Sequence, residues 1–553
     1  MKNNNNKVLV ALCAAFLMTP VYATELVIYV YADRTPSIIA SNTYSYDIVE
    51  TDELEDISSL DILSSGPKGQ MSSLFIRGAD SDQSLITLNG IAIKDHSSPT
   101  GTDDLGQHNF TGIDVVEVYK GPMSSLYGAN AAGGVVNLVS DVTSRSYIGS
   151  TIGNNDSIAV ETQLSGKVKN LDYTLTIDGE RTDGISVYPD GEETDPYENK
   201  NINLNLLYHT DYSNYRLIHI DETNYSNLDS QGDTLEYTGD WNWTNTQLDY
   251  NNKTVRVTLN NSNHRRIYTK GSWLEGDYDS TVNTLYASKL IRVDNNDIIV
   301  GTEVEKIDAD FLLNTGGVFP YYSSVDKKRT TKGIFVKDTG RIGIANNGIR
   351  ASVSTGYRVP TLYEMYGKDN YGFNGNPNLL EEDTISYEIG FRNSFVDTAI
   401  FLTKEDNAII YNGTYVNDSE RSYTKGLEGK TTYELSGVYI ENNISIIDAK
   451  QSNGERKLRR PNVTNKLKLS KIIDEIVYSF DVDYYGKHKD IDSITYQTIN
   501  VDALVTYNAE IDYRKNDWNV FLGIYNISNE KYQRPNGYSQ LGRNAEVGFR
   551  KYF

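Results

Sequence analysis

The sequence has almost no sulfur and no long apolar segment. Its one cysteine, Cys13, lies near the N-terminus, and it contains only 5 methionines and 12 prolines among 553 residues. Without further cysteines the rest of the chain can form neither disulfides nor cysteine-ligated metal sites. After residue 23 no apolar run approaches the roughly 18 residues of a membrane-spanning helix. These absences argue against a disulfide-rich secreted fold and against a helical membrane protein.

Positive charge is also scarce. The chain has 52 Lys and Arg against 75 Asp and Glu, so its net charge is −23. Such acidity argues against nucleic acid as a partner. The 6 histidines are dispersed and form no HExxH pair, and no Gly-x-Ser-x-Gly motif is present. The sequence therefore indicates a protein that is not an enzyme.

The chain begins with the features of a secretory signal peptide. Two lysines precede the apolar run 8–18, and residues 21–23 offer small side chains at the cleavage positions. This pattern predicts a signal peptide over residues 1–23 and a mature chain that begins at Thr24. A membrane anchor is the alternative, but the apolar run is too short to span a bilayer.

The sequence is rich in tyrosine and in short alternating segments. It contains 42 tyrosines, and from about residue 145 apolar and polar residues alternate between turns of Asn, Asp, Ser and Gly. "INLNLLY" places Ile202 and Leu204 on one face and Asn203 and Asn205 on the other. The final segment "NAEVGFRKYF" alternates in the same way and ends in Phe553. A period of two predicts strands with one apolar and one polar face.

Two architectures use strands of this kind, the soluble sandwich and the outer-membrane barrel. The export signal, the tyrosine content and the many strands favour the barrel, and no internal repeat suggests a propeller or β-helix. Strands of about 10 residues over residues 142–553 leave room for about 22 strands, and a barrel of that width needs a plug. We therefore predict an all-β membrane protein, a transmembrane antiparallel β-barrel of about 22 strands with an N-terminal globular plug domain in its lumen.

A glycine-rich stretch lies before the barrel. "VEVYKGPMSSLYGANAAGGVVN" (116–137) places Gly121, Gly128, Gly133 and Gly134 between two valine-rich segments. A phosphate-binding loop would end in Gly-Lys-Ser or Gly-Lys-Thr, which this stretch lacks. We interpret it as a tight strand–turn–strand of the plug, in which backbone passes close to backbone.

Four stretches resemble the TonB-dependent receptor family. In the plug, "GQMSSLFIRGADSDQSLITLNG" (69–90) and the stretch 116–137 match the two signature segments of the family. In the barrel, "STGYRVPTLYEMYG" with "GNPNL", and "YNISNEKYQRPNGYSQLGR", match its cobalamin-transporting subfamily. The resemblance implies TonB-dependent uptake of a corrinoid (cobalamin, vitamin B12) across the bacterial outer membrane. A receptor for an iron chelate, such as a siderophore or haem, is the alternative.

The resemblance also implies domains and partners. It places the plug at residues 33–141, the barrel at 142–553 and a TonB box segment at 24–32. This segment would pair as a strand with TonB, which acts with ExbB and ExbD; an ordinary first strand is the alternative. The protein is expected to be a monomer in outer-membrane lipid, and a passive porin would need neither plug nor TonB box. The TonB box residues are Glu25, Leu26, Val27, Ile28, Tyr29, Val30 and Tyr31.

Substrate contacts follow from the resemblance at six positions. The alternative for each is a surface loop residue without a role. Two further plug residues, Arg77 and Glu117, are expected to belong to an ion-pair cluster that fastens the plug to the barrel. The six expected substrate contacts are Met71, Ser73, Asp80, Pro99, Thr100 and Arg459.

In the family, aspartates of the early extracellular loops bind calcium. Here "YPDGEETDPYENKN" and the loop after it are rich in carboxylates, which suit calcium, but the family's aspartate spacing is lost. Ser226 also replaces an acidic ligand. We expect no cofactor apart from calcium in these loops and a reduced calcium requirement; an acidic solvated loop is the alternative. The candidate ligands are Asp190, Asp195, Glu198 and Asp229, with Glu192 and Glu193 beside them.

Overall fold

The structure is a computed structural model. It describes residues 45–143, 145–189, 191–229, 237–271, 273–293, 296–314, 322–338 and 348–553. The predicted signal peptide, the TonB box segment and Asp190 lie outside the described residues. Within those ranges no helix is both long and apolar enough to cross a membrane. Nearly all of the regular structure is strand, which confirms the predicted all-β fold class.

The first part of the chain folds into a small plug domain. Its strands are β1 (Tyr46–Val49), β2 (Leu60–Ser64), β3 (Ser72–Ile76), β4 (Ser84–Leu88), β5 (Ile91–Ala92), β6 (Val115–Lys120) and β7 (Gly134–Val139). Five of them form a sheet in the order β1-β6-β7-β4-β5, in which β4 and β7 run parallel, while β2 pairs with β3. The connections contain a short helix, α1 (Ser124–Tyr127), and the 3₁₀ helices Thr51–Asp56, Ser81–Gln83 and Leu105–Gln107.

The glycine-rich stretch forms the predicted strand–turn–strand. Strands β6 and β7 pair antiparallel, and α1 lies between them. Gly128 and Gly134 have φ angles of 80° and 153°, which favour glycine. A Cβ on Gly134 would also collide with the backbone carbonyl of Tyr119. Because Val116 and Val136 of the same two strands lie in the plug core, this close approach is what lets the plug be compact.

The rest of the chain closes into one antiparallel barrel, which confirms the predicted architecture. A short helix, α2 (Leu362–Tyr366), follows β18, and the small hairpins β22–β23 and β28–β29 lie outside the closed order. Strand β32 pairs with β8 and so joins the two ends of the barrel sheet. The strands are β8 (Tyr147–Gly153), β9 (Ile158–Val168), β10 (Leu171–Thr182), β11 (Tyr197–His209), β12 (Ser213–Asn227), β13 (Tyr237–Asn252), β14 (Val255–Lys270), β15 (Trp273–Val293), β16 (Asn296–Asn314), β17 (Tyr322–Asp338), β18 (Ile349–Arg358), β19 (Lys368–Asp369), β20 (Glu382–Arg392), β21 (Val396–Asp406), β22 (Ile409–Tyr411), β23 (Tyr415–Asn417), β24 (Ser422–Leu435), β25 (Val438–Lys450), β26 (Val463–Ile473), β27 (Ile476–Tyr485), β28 (His488–Ile491), β29 (Thr498–Val501), β30 (Leu504–Lys515), β31 (Trp518–Tyr525) and β32 (Asn544–Tyr552).

The number of barrel strands differs from the predicted value of about 22. Over the described ranges the closed order contains twenty strands of seven residues or more, together with the two-residue strand β19. The prediction assumed strands of about 10 residues, the length needed to cross a bilayer. Several strands are much longer, up to 21 residues in β15 and 19 in β16. The same length of chain therefore makes fewer crossings.

The alternating pattern places polar residues inside the barrel and apolar residues outside. On β11 the inward-facing Asn203 and Asn205 are 3% and 1% exposed, because the plug covers them. Ile202 on the same strand is 43% exposed and faces outward. On the last strand Val547 and Phe549 face outward in the same way. The apolar outer face is the one expected against lipid.

Candidate ligand-binding site

The length of the connections identifies the outer end of the molecule. Two-residue turns join β9 to β10 and β30 to β31 at one end, whereas long loops such as 526–543 lie at the other. In outer-membrane barrels the short turns face the periplasm and the long loops face outward. The expected ligand contacts are found where the plug meets these long loops.

Pro99 and Thr100 lie on an exposed plug loop that contacts the barrel. The Thr361 hydroxyl donates a hydrogen bond to the Pro99 carbonyl at 3.0 Å and caps α2 by accepting one from the Glu364 backbone N–H, also at 3.0 Å. The Thr100 hydroxyl lies 2.8 Å from that of Thr102 at the surface. The loop is thus fixed by its backbone, and it presents hydroxyls outward.

Met71 lies exposed at the surface of the plug. Its side chain is 59% exposed. Its carbonyl accepts a hydrogen bond from the Ser65 N–H at 2.8 Å, which fixes the backbone. Ser73 follows in β3, where it pairs with Leu63 of β2. An exposed thioether on a fixed backbone suits contact with a large, irregular ligand.

Asp80 is engaged in ion pairs with the barrel. Its carboxylate lies 2.6 Å from Lys457 Nζ and 2.7 Å from Arg460 Nη2, both in the loop 451–462. Burial raises the pKa of Asp80, but these two cations outweigh it and lower the pKa to about 2. The structure therefore places Asp80 as an anionic link between plug and barrel, at a site that also borders the outer lumen.

Arg459 lies on the same loop as the cations that bind Asp80, and its side chain is 39% exposed. Its Nε donates to Asp490 Oδ1 at 2.8 Å, and its backbone N–H donates to the Lys489 carbonyl at 2.6 Å. The guanidinium is fixed by the hairpin β28–β29, while part of it stays open. Within the described chain no hydrogen bond or ion pair joins Arg459 to Met71 or Thr100.

Arg77 fastens the plug to the barrel, as the sequence predicted. Its guanidinium lies 2.7 Å from Glu388 and also contacts Glu428, and all three side chains are buried. Glu117 accepts a hydrogen bond at 2.7 Å from Asn137 within the plug sheet. Removing Arg77 or one of its two glutamate partners would leave an uncompensated buried charge, which is strongly destabilising.

Three carboxylates of the outer loops converge. One oxygen each from Glu193, Asp195 and Asp229 lie within 4.8 Å of one another. Two of the candidate calcium ligands are therefore together, but Glu198 is exposed on β11 and pairs with Lys200 at 2.6 Å. Three carboxylates supply the oxygen donors that calcium prefers, so these residues fit a hard divalent cation.

Two of these carboxylates also accept hydrogen bonds from the backbone of the loop. The Val187 N–H donates to Asp195 Oδ2, and the Tyr188 N–H donates to Asp229 Oδ2, each at 2.8 Å. Backbone hydrogen bonds to charged oxygens are strong. They help to order the loop around residues 187 and 188.

A buried network between plug and barrel is not apparent from the sequence. His108 Nε2 lies 2.5 Å from Asp103, and its Nδ1 lies 3.0 Å from Glu222, which is 114 residues away along the chain. The rings of Trp241 and Trp243 lie nearly perpendicular to the imidazole, at ring-centroid distances of 5.1 and 4.7 Å. Burial lowers the pKa of His108, but the two carboxylates raise it to about 10. His108 is therefore a buried cation.

Aromatic rings cluster among the outer loops. Tyr363 of α2 lies 5.4 Å from Phe373, and Tyr415 lies 5.8 Å from Phe373 and 5.3 Å from Tyr411. Such rings offer a large, rigid surface to a bulky ligand. The high tyrosine count favoured a barrel, but the sequence alone did not place these rings together.

Two family models match the chain. The model for the TonB dependent receptor-like β-barrel matches residues 127–527, and the model for the TonB-dependent receptor plug domain matches residues 51–135. Together they span the plug and most of the barrel seen in the structure.

Known proteins with different ligands are similar to this chain. It is 24% identical to the vitamin B12 transporter BtuB of Vibrio cholerae serotype O1, in an alignment that covers 96% of this chain and 97% of the relative. The siderophore receptor PirA of Acinetobacter baumannii has a similar structure, with a TM-score of 0.72 and 14% identity. That alignment covers 92% of this chain and 98% of PirA. The copper transporter OprC also has a similar structure, with a TM-score of 0.74 and 11% identity. That alignment covers 93% of this chain and 99% of OprC. The structural similarities show the fold, but they do not identify the ligand.

Proposed function

The chain belongs to the TonB-dependent receptor family of the bacterial outer membrane, and we propose that it imports a corrinoid such as cobalamin (vitamin B12). The family consists of receptors and transporters, not enzymes. The observation that supports a corrinoid is the alignment with a vitamin B12 transporter over almost the full length of both chains.

In this proposal the ligand binds at the outer face, between plug and loops. Met71 and Ser73 contact it from one plug loop, and Pro99 and Thr100 contact it from another. Arg459 contacts it from the barrel side, where its partly exposed guanidinium is already oriented by Asp490. A bulky ligand would gain affinity because these groups are fixed before it binds.

Energy for the transport step comes from outside the barrel, because no ATP is available at the outer membrane. Members of the family interact with TonB, and we propose that residues 24–32 are the segment that pairs with it, with ExbB and ExbD acting behind TonB. We further propose that the receptor works as a monomer, since the closed barrel has no strand edge left to pair.

A receptor for an iron chelate is the second candidate. It is favoured by the likeness to solved siderophore receptors, of which PirA is one. That likeness is at the level of the fold, so it supports the family more than the ligand.

Uptake by cells tests the proposal. Cells that express this receptor should accumulate labelled cyanocobalamin in a saturable manner, and deletion of TonB should abolish accumulation while surface binding remains. Accumulation of a ferric siderophore or haem without any corrinoid would favour the second candidate. Passive uptake that continues without TonB would contradict the transport mechanism itself.

A further inference from the structure

The outward face of the barrel has an open groove of about 430 Å³ across β13, β14, β15 and β16. Its exposed lining residues alternate along the strands with buried residues such as Val282 and Ile307, so the groove faces the membrane and not the lumen. Part of the lining is an apolar row that follows the pairing register across the sheet. This row offers a surface for acyl chains. It consists of Leu248, Leu259, Leu285 and Val304.

The next row towards the outer end of the strands is polar. It consists of Thr246, Asn261, Asn283 and Lys306, which pair across the sheet in the same order and also line the groove. Asn261 Nδ2 donates to Asn283 Oδ1 at 3.0 Å, and Asn261 Oδ1 accepts from Asn263 Nδ2 at 2.8 Å. These hydrogen bonds fix the amides, while Asn283 Nδ2 has no partner in the described part of the chain. Its donor is therefore available to a bound molecule.

The polar row lies closer to the short turns than polar residues do elsewhere, as β27 shows. On β14 only three apolar residues face outward between the turn 253–254 and Asn261. On β27 the outward face is apolar over its whole length, and Tyr478 and Phe480 are exposed members of it. A bilayer accommodates a short apolar stretch by thinning, which brings lipid headgroups down to the polar row. The groove therefore lies where headgroups meet acyl chains.

Lys306 supplies a positive charge at the edge of the groove. It is exposed, and among the described residues it has no ion-pair partner. Asp308, the next outward-facing residue of β16, is already paired with Lys328 at 2.6 Å. Asp279 and Asp310 lie opposite each other farther towards the outer end, where they would repel an anion. An anionic group is therefore favoured at Lys306 and disfavoured beyond it.

Three kinds of recognition meet in this groove. Leucines suit acyl chains, asparagine amides suit sugar hydroxyls, and a lysine suits a phosphate. A glycerophospholipid has acyl chains and a phosphate but no sugar. The lipid A part of lipopolysaccharide has acyl chains and phosphates on a disaccharide, and it lies in the outer leaflet, towards which the polar row is placed.

We propose that the groove binds lipopolysaccharide through its lipid A part. An acyl chain lies along the leucine row, a sugar contacts Asn283, and a phosphate contacts Lys306. The inward-facing neighbour of Lys306, Glu305, pairs with Lys94 of the plug at 3.4 Å, so the lipid braces the wall that holds the plug. The inference goes beyond the proposed function, because it is independent of the ligand that is transported.

Binding of defined lipids to the purified receptor tests the site. The full-length receptor is freed of lipid in mild detergent and titrated with diphosphoryl lipid A or with phosphatidylglycerol, and bound lipid is counted by native mass spectrometry. Lipid A should bind saturably, at least tenfold more tightly than phosphatidylglycerol, and it should raise the Tm of the receptor. No saturable binding of lipid A, or equal affinity for the two lipids, would overturn the proposal.

Lys306→Gln tests the phosphate contact. It should weaken binding of lipid A about tenfold, the loss expected for one hydrogen bond from a charged group. Lys425→Gln is the matched control, because Lys425 is also an exposed lysine of the outward face, on β24, but lies outside the groove. An equal loss in both variants, or no loss in Lys306→Gln, would show that the groove holds no phosphate.

Asn283→Leu tests the sugar contact. It should weaken binding of lipid A about fivefold, the loss expected for one neutral hydrogen bond, and leave the affinity for phosphatidylglycerol unchanged. Asn442→Leu on β25 is the control, because Asn442 is likewise bonded to a second asparagine, Asn465, at 2.9 Å. Leucine suits the outward face, so both variants should fold, and the Tm without lipid checks this. Equal weakening for both lipids, or by both variants, would exclude the sugar contact.

Discussion

At the scale of single residues, buried charges hold the plug in the barrel. His108 is a cation enclosed by Asp103, Glu222 and two tryptophans. An ion pair that is removed from water contributes little net free energy when complete, but breaking it exposes the full cost of the remaining buried charge. Such a site fixes the plug in one position and makes its stability depend on pH.

The first prediction concerns His108→Gln. The folded-state pKa of about 10 lies above the ordinary value of 6.5, so its contribution is complete below pH 6.5 and is lost as the pH rises through about 10. The variant should be destabilised by about 3–5 kcal/mol at pH 6.5, and the difference should shrink towards pH 10. Thermal unfolding in detergent across this range measures it.

His209→Gln is the matched control. His209 also pairs with a carboxylate, Asp172 at 2.9 Å, but its side chain is 37% exposed. An exposed pair of this kind contributes little to stability. A difference between wild type and His108→Gln that stays constant from pH 6.5 to pH 10 would show that the imidazole is not charged.

The second prediction concerns the ligand contact assigned to Arg459. Arg459→Ala should weaken binding of cyanocobalamin about tenfold, the loss expected for one hydrogen bond from a charged group. Arg421→Ala is the control, because Arg421 is a similarly exposed arginine paired with Asp406 at 2.6 Å. Equal affinity of wild type and Arg459→Ala in equilibrium binding would remove Arg459 from the site.

Asp80 shows what a single sequence could not reveal about residues. Family resemblance marked its position as a ligand contact, but its charge is taken up by Lys457, which lies 377 residues away. Alternation and motifs depend on residues that are close together along the chain. The ion pairs between plug and barrel join residues that are far apart along the chain and meet only in the folded barrel. For the same reason the sequence did not predict that Glu222 on β12 would pair with His108.

At the scale of elements, the period of two predicted the strands, and the export signal and tyrosine content were needed to predict that their apolar face meets lipid. The segment 202–206 has the predicted orientation on β11. The strand count was not predictable in this way, because a strand that continues beyond the bilayer keeps its alternation. The long strands β15 and β16 are examples.

The third prediction concerns the segment 24–32. If it pairs as a strand with TonB, Leu26→Pro or Val27→Pro should abolish uptake, because proline removes a ladder donor and fixes φ. Affinity for the ligand at the outer face should be unchanged, and Val27→Ile should transport normally. Normal uptake by the proline variants, in cells that depend on this receptor, would exclude this segment as the TonB box.

The fourth prediction concerns calcium and the outer loops. Asp195 and Asp229 already order their loop through hydrogen bonds from backbone N–H groups, so chelation of calcium should change corrinoid affinity less than about threefold. Asp195→Asn should weaken binding more than chelation does, because it removes the charge that both the loop and a cation would use. Collapse of binding on chelation, restored by calcium alone, would show that the metal is required.

At the scale of the whole molecule, a plug inside a closed barrel explains how binding and transport can be separate steps. In the proposed function the outer loops and plug loops bind the ligand, and the structure shows ion pairs of Arg77 and Asp80 that join the plug to the barrel. The sequence was sufficient for this architecture because hydrophobic alternation and plug motifs are local. The ligand was not determined, because receptors with similar folds and different cargo differ in their loops.

The central claim is that this receptor binds a corrinoid, and calorimetric titration of the purified protein in mild detergent tests it most directly. Cyanocobalamin and a cobinamide should each bind saturably at one site per barrel, with affinity lowered in Arg459→Ala and unchanged in Arg421→Ala. A ferric siderophore and haem should give no saturable heat. Tight binding of an iron chelate together with no binding of either corrinoid would contradict the account.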